Sequence, residues 1–257
     1  MWQTLISRYR RWRIARHPVP DNLWSAALRT IPYAQRLSTE QRIRLRELVV
    51  WFLLEKRFSS VHDLKITNDM CVRIAVKACL PILELGIDCY GNFKGIVLYP
   101  EEFRVPEQHV DEVGVVHEHI GELCGQSSAQ GPMVLSWGTI ETEDSQDGHD
   151  LVIHECAHML DTLNGDANGF PPLHASMTTR AWSDAFHTAY DKFCVMVDAE
   201  EPTQLDPYAA EDPAEFFAVA SETFFTRPDI LIQEFSEVYR QLAAFYKQDP
   251  YRDDTTR

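Results

Sequence analysis

Two histidines and a glutamate in the run His154-Glu155-Cys156-Ala157-His158 have the types and spacing to hold a divalent metal and to work beside it. On a helix, residues four apart share a face with Cβ atoms about 5–6 Å apart. That suits two imidazole nitrogens closing on one zinc ion at ~2.0–2.1 Å each. Glu155 then stands about 100° further round, next to the metal's open position, where a carboxylate takes a proton from water as it attacks a carbonyl. Two surface histidines on an ordinary amphipathic helix would give the same letters, so the surrounding residues decide how far the motif is to be trusted.

They supply a helix. Residues 150–164 contain no Gly or Pro, follow Asp147-Gly148, offer Asp150 as a cap and stop at Asn164-Gly165. Seven residues after His154, Asp161 projects within about 20° of it. It is placed either to accept the second ring N–H of a ligating histidine or to sit solvated near a helix end. Cys156 falls nearly opposite and reads as a packing residue. A catalytic zinc needs a third protein ligand and one open position. An H-E-x-x-H-x-x-G-x-x-H site would need Gly at 161 and His at 164; Asp161 and Asn164 exclude it. The other common solution is a Glu from a second helix. Residues 212–225 open with Asp212 as N-cap and Pro213 as first helical residue, and carry Glu215 and Glu222 two turns apart. Glu215 also stands where a capping-box Glu belongs, which stabilises a helix start without touching a metal. The pattern alone therefore leaves Glu215, Glu222, and more remotely Glu211 and His174, as candidates.

The block HECAHMLDTLNGDANG, followed by Tyr208 and Glu215 within YAAEDPAEFFAVASETFF, resembles the Mlc titration factor A group of zinc peptidases. The likeness continues upstream through LSTEQRIRLRELVVWFLLEKRF, KACLPILELGIDCY and GIVLYPEEF, and so covers roughly residues 30–240. The Tyr-x6-Glu spacing with EFFA is also similar to the catalytic domain of anthrax lethal factor. The resemblance implies a helix-rich α+β, gluzincin-like metallopeptidase domain with a small sheet and an N-terminal helical part. It implies one Zn²⁺ held by His154, His158 and Glu215, with Glu155 as general base. Tyr208 would be a hydroxyl donor to the tetrahedral intermediate, since a phenol stays protonated at neutral pH. The implied activity is peptide hydrolysis, aminopeptidase-like on short peptides. Members of the group are better described as regulators, so a rival expectation is a protein that sequesters an Mlc-type transcriptional repressor controlling sugar uptake, with catalysis secondary.

Bulk properties set the remaining bounds. A chain of 257 residues, 45% hydrophobic, can bury a real core. Its net charge of −15 argues against direct nucleic-acid binding. The charge is uneven: residues 1–20 hold five Arg and no acid, leaving 19 bases against 39 acids beyond them. We expect that basic start to form a surface helix paired with the acidic body. Six cysteines without C-x-x-C pairs read as reduced thiols, no apolar run reaches the ~20 residues of a membrane span, and arginines interrupt any secretory signal. The expected location is the cytoplasm.

We expect a single domain over residues 1–257: a basic segment (1–30), a helical part (31–105), a metallopeptidase core (106–247) and a polar tail (248–257). Ser38 and Gln41 predict a capping box opening a helix to about Phe58, with Ile43, Val50 and Leu54 on its apolar face. A second helix should run from Asn68 or Asp69 towards Leu85, broken at Pro81. Residues 95–100 and 133–137 read as strands. In gluzincin-like peptidases an edge strand near the metal helix pairs with extended substrate, so residues 133–137 are either that edge or a plain core strand. Five acids in 141–150 predict a solvated loop, and 228–247 one last helix. His117-Glu118-His119 has the wrong spacing for a helical metal pair and reads as surface. Asn164-Gly165-Asp166 reads as a turn and not a nucleotide motif.

Overall fold

The computed structural model describes residues 9–10, 12–101, 103–110, 116–123, 125–127, 131–143 and 148–252, with side chains described outside 102–130. Near the start, α1 (Asp21–Arg29) and α2 (Pro32–Arg36) lead into α3 (Thr39–Glu55). The capping box forms as the sequence predicts: Gln41 N–H donates to Ser38 Oγ at 3.2 Å and Ser38 N–H to Gln41 Oε1 at 2.9 Å. Of the expected apolar face of α3, Val50 is buried and Leu54 packs against the core, but Ile43 does not. Leu45, Val49 and Phe52 are fully buried, whereas Ile43 is 58% exposed.

The helix also ends earlier than expected, at Glu55. Lys56 turns extended and its ammonium donates to the carbonyls of Tyr90 and Phe93. Burial, then Lys94, lowers its pKa to about 8. Residues Arg57–Ser60 become strand β1, paired in parallel with β2 (Gly95–Tyr99). Strand pairing thus claims Phe58, which the sequence assigned to the helix. Helix α4 (Asn68–Cys79), capped by Thr67, makes the crossover and stops just before Pro81.

A hairpin follows, β3 (Phe103–Val110) with β4 (Val116–Leu123), then β5 (Gly125–Ser127) and β6 (Met133–Ser136). The main sheet runs β1-β2-β6-β5, parallel except for β5. Of the two expectations for β6, edge or core strand, the second holds: β2 and β5 pair with its two sides. Trp137, placed in that strand by sequence, starts α5 (Trp137–Thr142). The side chains of His117, Glu118 and His119 lie outside the described residues.

Helix α6 (Leu151–Asp161) packs against α4, the sheet and α8 (Pro213–Thr226), and is buried at ten of its eleven positions. A helix apolar nearly all round belongs in the middle of a core. Opposite the sheet, α7 (Thr179–Asp198) and α8 share an aromatic stack of Trp182, Phe186, Phe193, Phe216 and Phe217. The expected last helix is two, α9 (Pro228–Glu234) and α10 (Ser236–Tyr246), separated where Phe235 leaves helical geometry. Nor is residue 248 part of a polar tail. Gln248 is buried, and its amide donates to Leu80 O at 2.9 Å. At the other end, Arg10 pairs with Asp88 at 2.6 Å, while Arg13 and Arg16 lean on the rings of Tyr9 and Trp12. Among the described residues no helix is long and apolar enough to cross a membrane.

Candidate metal centre

Helix α6 begins as its sequence dictates. Asp150 Oδ1 accepts the N–H of Ile153 at 3.1 Å, a side-chain cap one turn ahead of the motif. His154 and His158 then lie on one face, with ring centroids 4.9 Å apart and Nε2 atoms separated by 3.2 Å. Helix α8 starts at an Asp212 cap, whose Oδ1 accepts from Ala214 N–H at 2.7 Å and Glu215 N–H at 2.9 Å. The Glu215 carboxylate does not turn back to close a capping box. It crosses to α6, its Oε2 lying 3.0 Å from His154 Nε2 and 3.4 Å from His158 Nε2.

These three ligand atoms gather within 4.8 Å of one another. Tetrahedral zinc with ligand distances of ~2.0–2.2 Å holds its ligand atoms about 3.3–3.5 Å apart. The separations of 3.0, 3.2 and 3.4 Å lie within about 0.3 Å of that spacing, and two imidazoles with a carboxylate are a donor set that suits a divalent metal. The electrostatics agree. Burial works against charge on Glu215, but hydrogen bonds from both imidazoles lower its pKa to about 2. Burial likewise disfavours a charged His154, yet Glu215 and Glu222 outweigh it and raise its pKa well above the ordinary value. The carboxylate demands a positive charge among the three groups, from a proton or from a cation.

The rival ligands go elsewhere. Glu222 lies on the other side of the His154 ring, its Oε2 3.9 Å from Nδ1. His174 Nε2 bonds the Phe245 carbonyl at 2.7 Å, and Glu211 is exposed. Asp161 fits neither expectation. It is fully buried, and its Oδ2 accepts the N–H groups of Asn168 and Gly169, both at 2.7 Å. Gly169 sits at φ +74, and a Cβ there would come within 2.4 Å of Pro213 O. Asp161 thus ties the end of α6 to a loop pressed against the first turn of α8, which helps to set where Glu215 begins. Cys156 is fully buried, as its place on the helix predicts.

Glu155 is 2% exposed. Tyr208 occupies a 3-10 turn (Pro207–Ala210) whose Asp206 side chain accepts the Tyr208 N–H at 2.9 Å. Its ring is 6.4 Å from that of His154, and it is 43% exposed, so it borders the metal face from the open side. Burial, then Glu215, Glu211 and Glu155, raise its pKa, which keeps the phenol protonated.

Sequence reasoning missed what lies behind the face. Of the acids expected in a solvated loop, Glu143 and Asp150 are buried, their side chains 8% and 0% exposed. Both pair with Lys77 of α4, at 3.2 and 3.0 Å. Glu143 also accepts the Leu151 N–H at 2.7 Å. Burial lowers the Lys77 pKa, but the two acids outweigh it and the net direction is up. Burial, and then Asp150, push Glu143 up to about 7. The only signal in the sequence is a Lys inside an apolar helix, which says nothing of its partners.

Comparison with known proteins shows the family. The pattern of a family described as glucose-regulated metallo-peptidase M90 matches residues 6–247. Among curated proteins, one named Mlc titration factor A from Klebsiella pneumoniae is 38% identical over 229 residues, 88% of this chain and 86% of that protein. Proteins of the same name from Escherichia fergusonii (37% identical; 93% of this chain, 91% of that one) and Edwardsiella ictaluri (41% identical; 86% and 85%) are similar over nearly the whole length.

Proposed function

The chain belongs to the glucose-regulated metallo-peptidase M90 family, and from that premise we propose that it is a zinc-dependent peptidase, aminopeptidase-like on short peptides. The observation that carries this reading is the convergence of His154 Nε2, His158 Nε2 and Glu215 Oε2, which would hold one zinc ion. When bound, zinc polarises a carbonyl and lowers the pKa of water towards ~7. Glu155, next to His154 in the motif, takes the proton of the attacking water and delivers it to the leaving amine. Tyr208, on the open side, donates its O–H to the oxygen on which negative charge develops.

The experiment is metal analysis with peptide turnover on three proteins. The wild type should carry one zinc per chain and cleave aminoacyl substrates. Glu155→Gln should keep its zinc and lose about 10²–10⁴ in kcat/KM. Glu215→Ala should lose the metal. Full zinc occupancy in Glu215→Ala would sink the ligand assignment.

A second reading is favoured by the relatives' name, Mlc titration factor A. On it the chain binds an Mlc-type repressor and regulates by sequestration. Glu155→Gln separates the two: a cellular role that survives loss of hydrolysis belongs to binding.

A further inference from the structure

Glu222 is 5% exposed, two turns along α8 from Glu215, and belongs to none of the three converging ligand atoms. Its Oε2 accepts the N–H of Asp150 at 3.1 Å, the residue that caps α6. The same oxygen lies 3.9 Å from His154 Nδ1, while Glu215 faces His154 Nε2 at 3.0 Å. Two carboxylates from one helix therefore face the two nitrogens of one imidazole. An imidazole presents a lone pair at Nε2 only if the proton sits on Nδ1, and an acceptor beside Nδ1 favours that tautomer.

We propose that Glu222 is a positioning residue that accepts the Nδ1–H of His154, fixing its tautomer and ring angle so that Nε2 faces the metal. The inference rests on the zinc reading above. At 3.9 Å the pair is a contact and not yet a hydrogen bond. A ring movement of about 1 Å, as Nε2 takes a cation, completes it. The Asp150 amide keeps Glu222 in place meanwhile, so the cap of the metal helix and the orientation of its first ligand share one carboxylate. A carboxylate oriented in this way on a ligating histidine is worth about 10–100-fold in metal affinity.

The test is zinc affinity, by competition with a chromophoric chelator, for the full-length wild type and Glu222→Gln. The amide oxygen of Gln can still accept the Asp150 N–H, so the metal-free variant should unfold within a degree or two of the wild type. Its zinc affinity should fall about 10–100-fold. Equal affinities overturn the proposal and leave Glu222 as a holder of the Asp150 amide. A wild type that takes up no zinc overturns the ligand assignment itself, a different result. Should Glu222→Gln not fold, nitrogen-15 NMR of the zinc-loaded wild type decides. A slowly exchanging, downfield Nδ1–H on His154 supports the role; ligation through Nδ1, or a freely exchanging Nδ1–H, rules it out.

Discussion

Two groups of buried charge lie along helix α6, and they finish in different states. At its N-terminal end Lys77 sits between Glu143 and Asp150, and the backbone of Leu151 takes a further carboxylate oxygen. One turn on, His154, His158 and Glu215 bring three ligand atoms together, with Tyr208 bordering the open side. The first group brings its own cation. Two ionised acids against one lysine would leave an excess negative charge in the core, and Glu143, pushed up to about 7 by burial and by Asp150, relieves it by keeping a proton near neutral pH. The second group has more electron pairs than protons to share among them, and one side open to solvent. Buried charge that is internally balanced serves as scaffold; buried charge whose donor atoms converge on one point has the arrangement a metal ion needs.

The largest way to break this contrast is Lys77→Met. With the cation gone, Asp150 and Glu143 remain buried with backbone N–H partners but no countercharge, and urea denaturation should show a loss of about 3–5 kcal/mol. The folded fraction should still bind one zinc per chain. A loss below about 1 kcal/mol, or a loss of zinc stoichiometry at unchanged stability, would erase the distinction between scaffold and site.

Tyr208→Phe probes the open group instead. Removing one hydroxyl donor to a developing oxyanion should lower kcat about 10²–10³-fold while zinc affinity and unfolding stay unchanged. A fall in zinc affinity would make Tyr208 part of the ligand set.

The smallest effect is a pH slope. Glu143 has a folded pKa above its unfolded one, so the folded state binds more protons between about pH 4.5 and 7. Its contribution is full below that window and is lost as pH rises through about 7. Urea midpoints from pH 5 to 8 should therefore decline less in Glu143→Gln than in the wild type. Parallel slopes would mean that Glu143 is ionised in the fold and the cluster is not balanced as described.

Much of the site was legible because it is local. The caps at Asp150 and Asp212, the Pro213 start and the i, i+4 histidines depend on hydrogen bonds and angles within a few residues. Three of the missed features turned on partners distant in sequence. Lys77 meets acids 66 and 73 positions away, β1 takes Phe58 from α3 through pairing with Gly95–Tyr99, and Gln248 reaches the Leu80 carbonyl.

By itself the sequence determined that two imidazoles share a face of a capped helix, and that a second capped helix carries two acids seven residues apart. Helical periodicity puts those acids about 20° from one another, so periodicity cannot rank them, and in the sequence only the family resemblance favoured Glu215. The crossing of α8 over α6 sets them apart, bringing Glu215 to Nε2 of His154 and Glu222 towards Nδ1. Position along the helix axis relative to a partner is a property of packing, and the nitrogen each carboxylate meets follows from it.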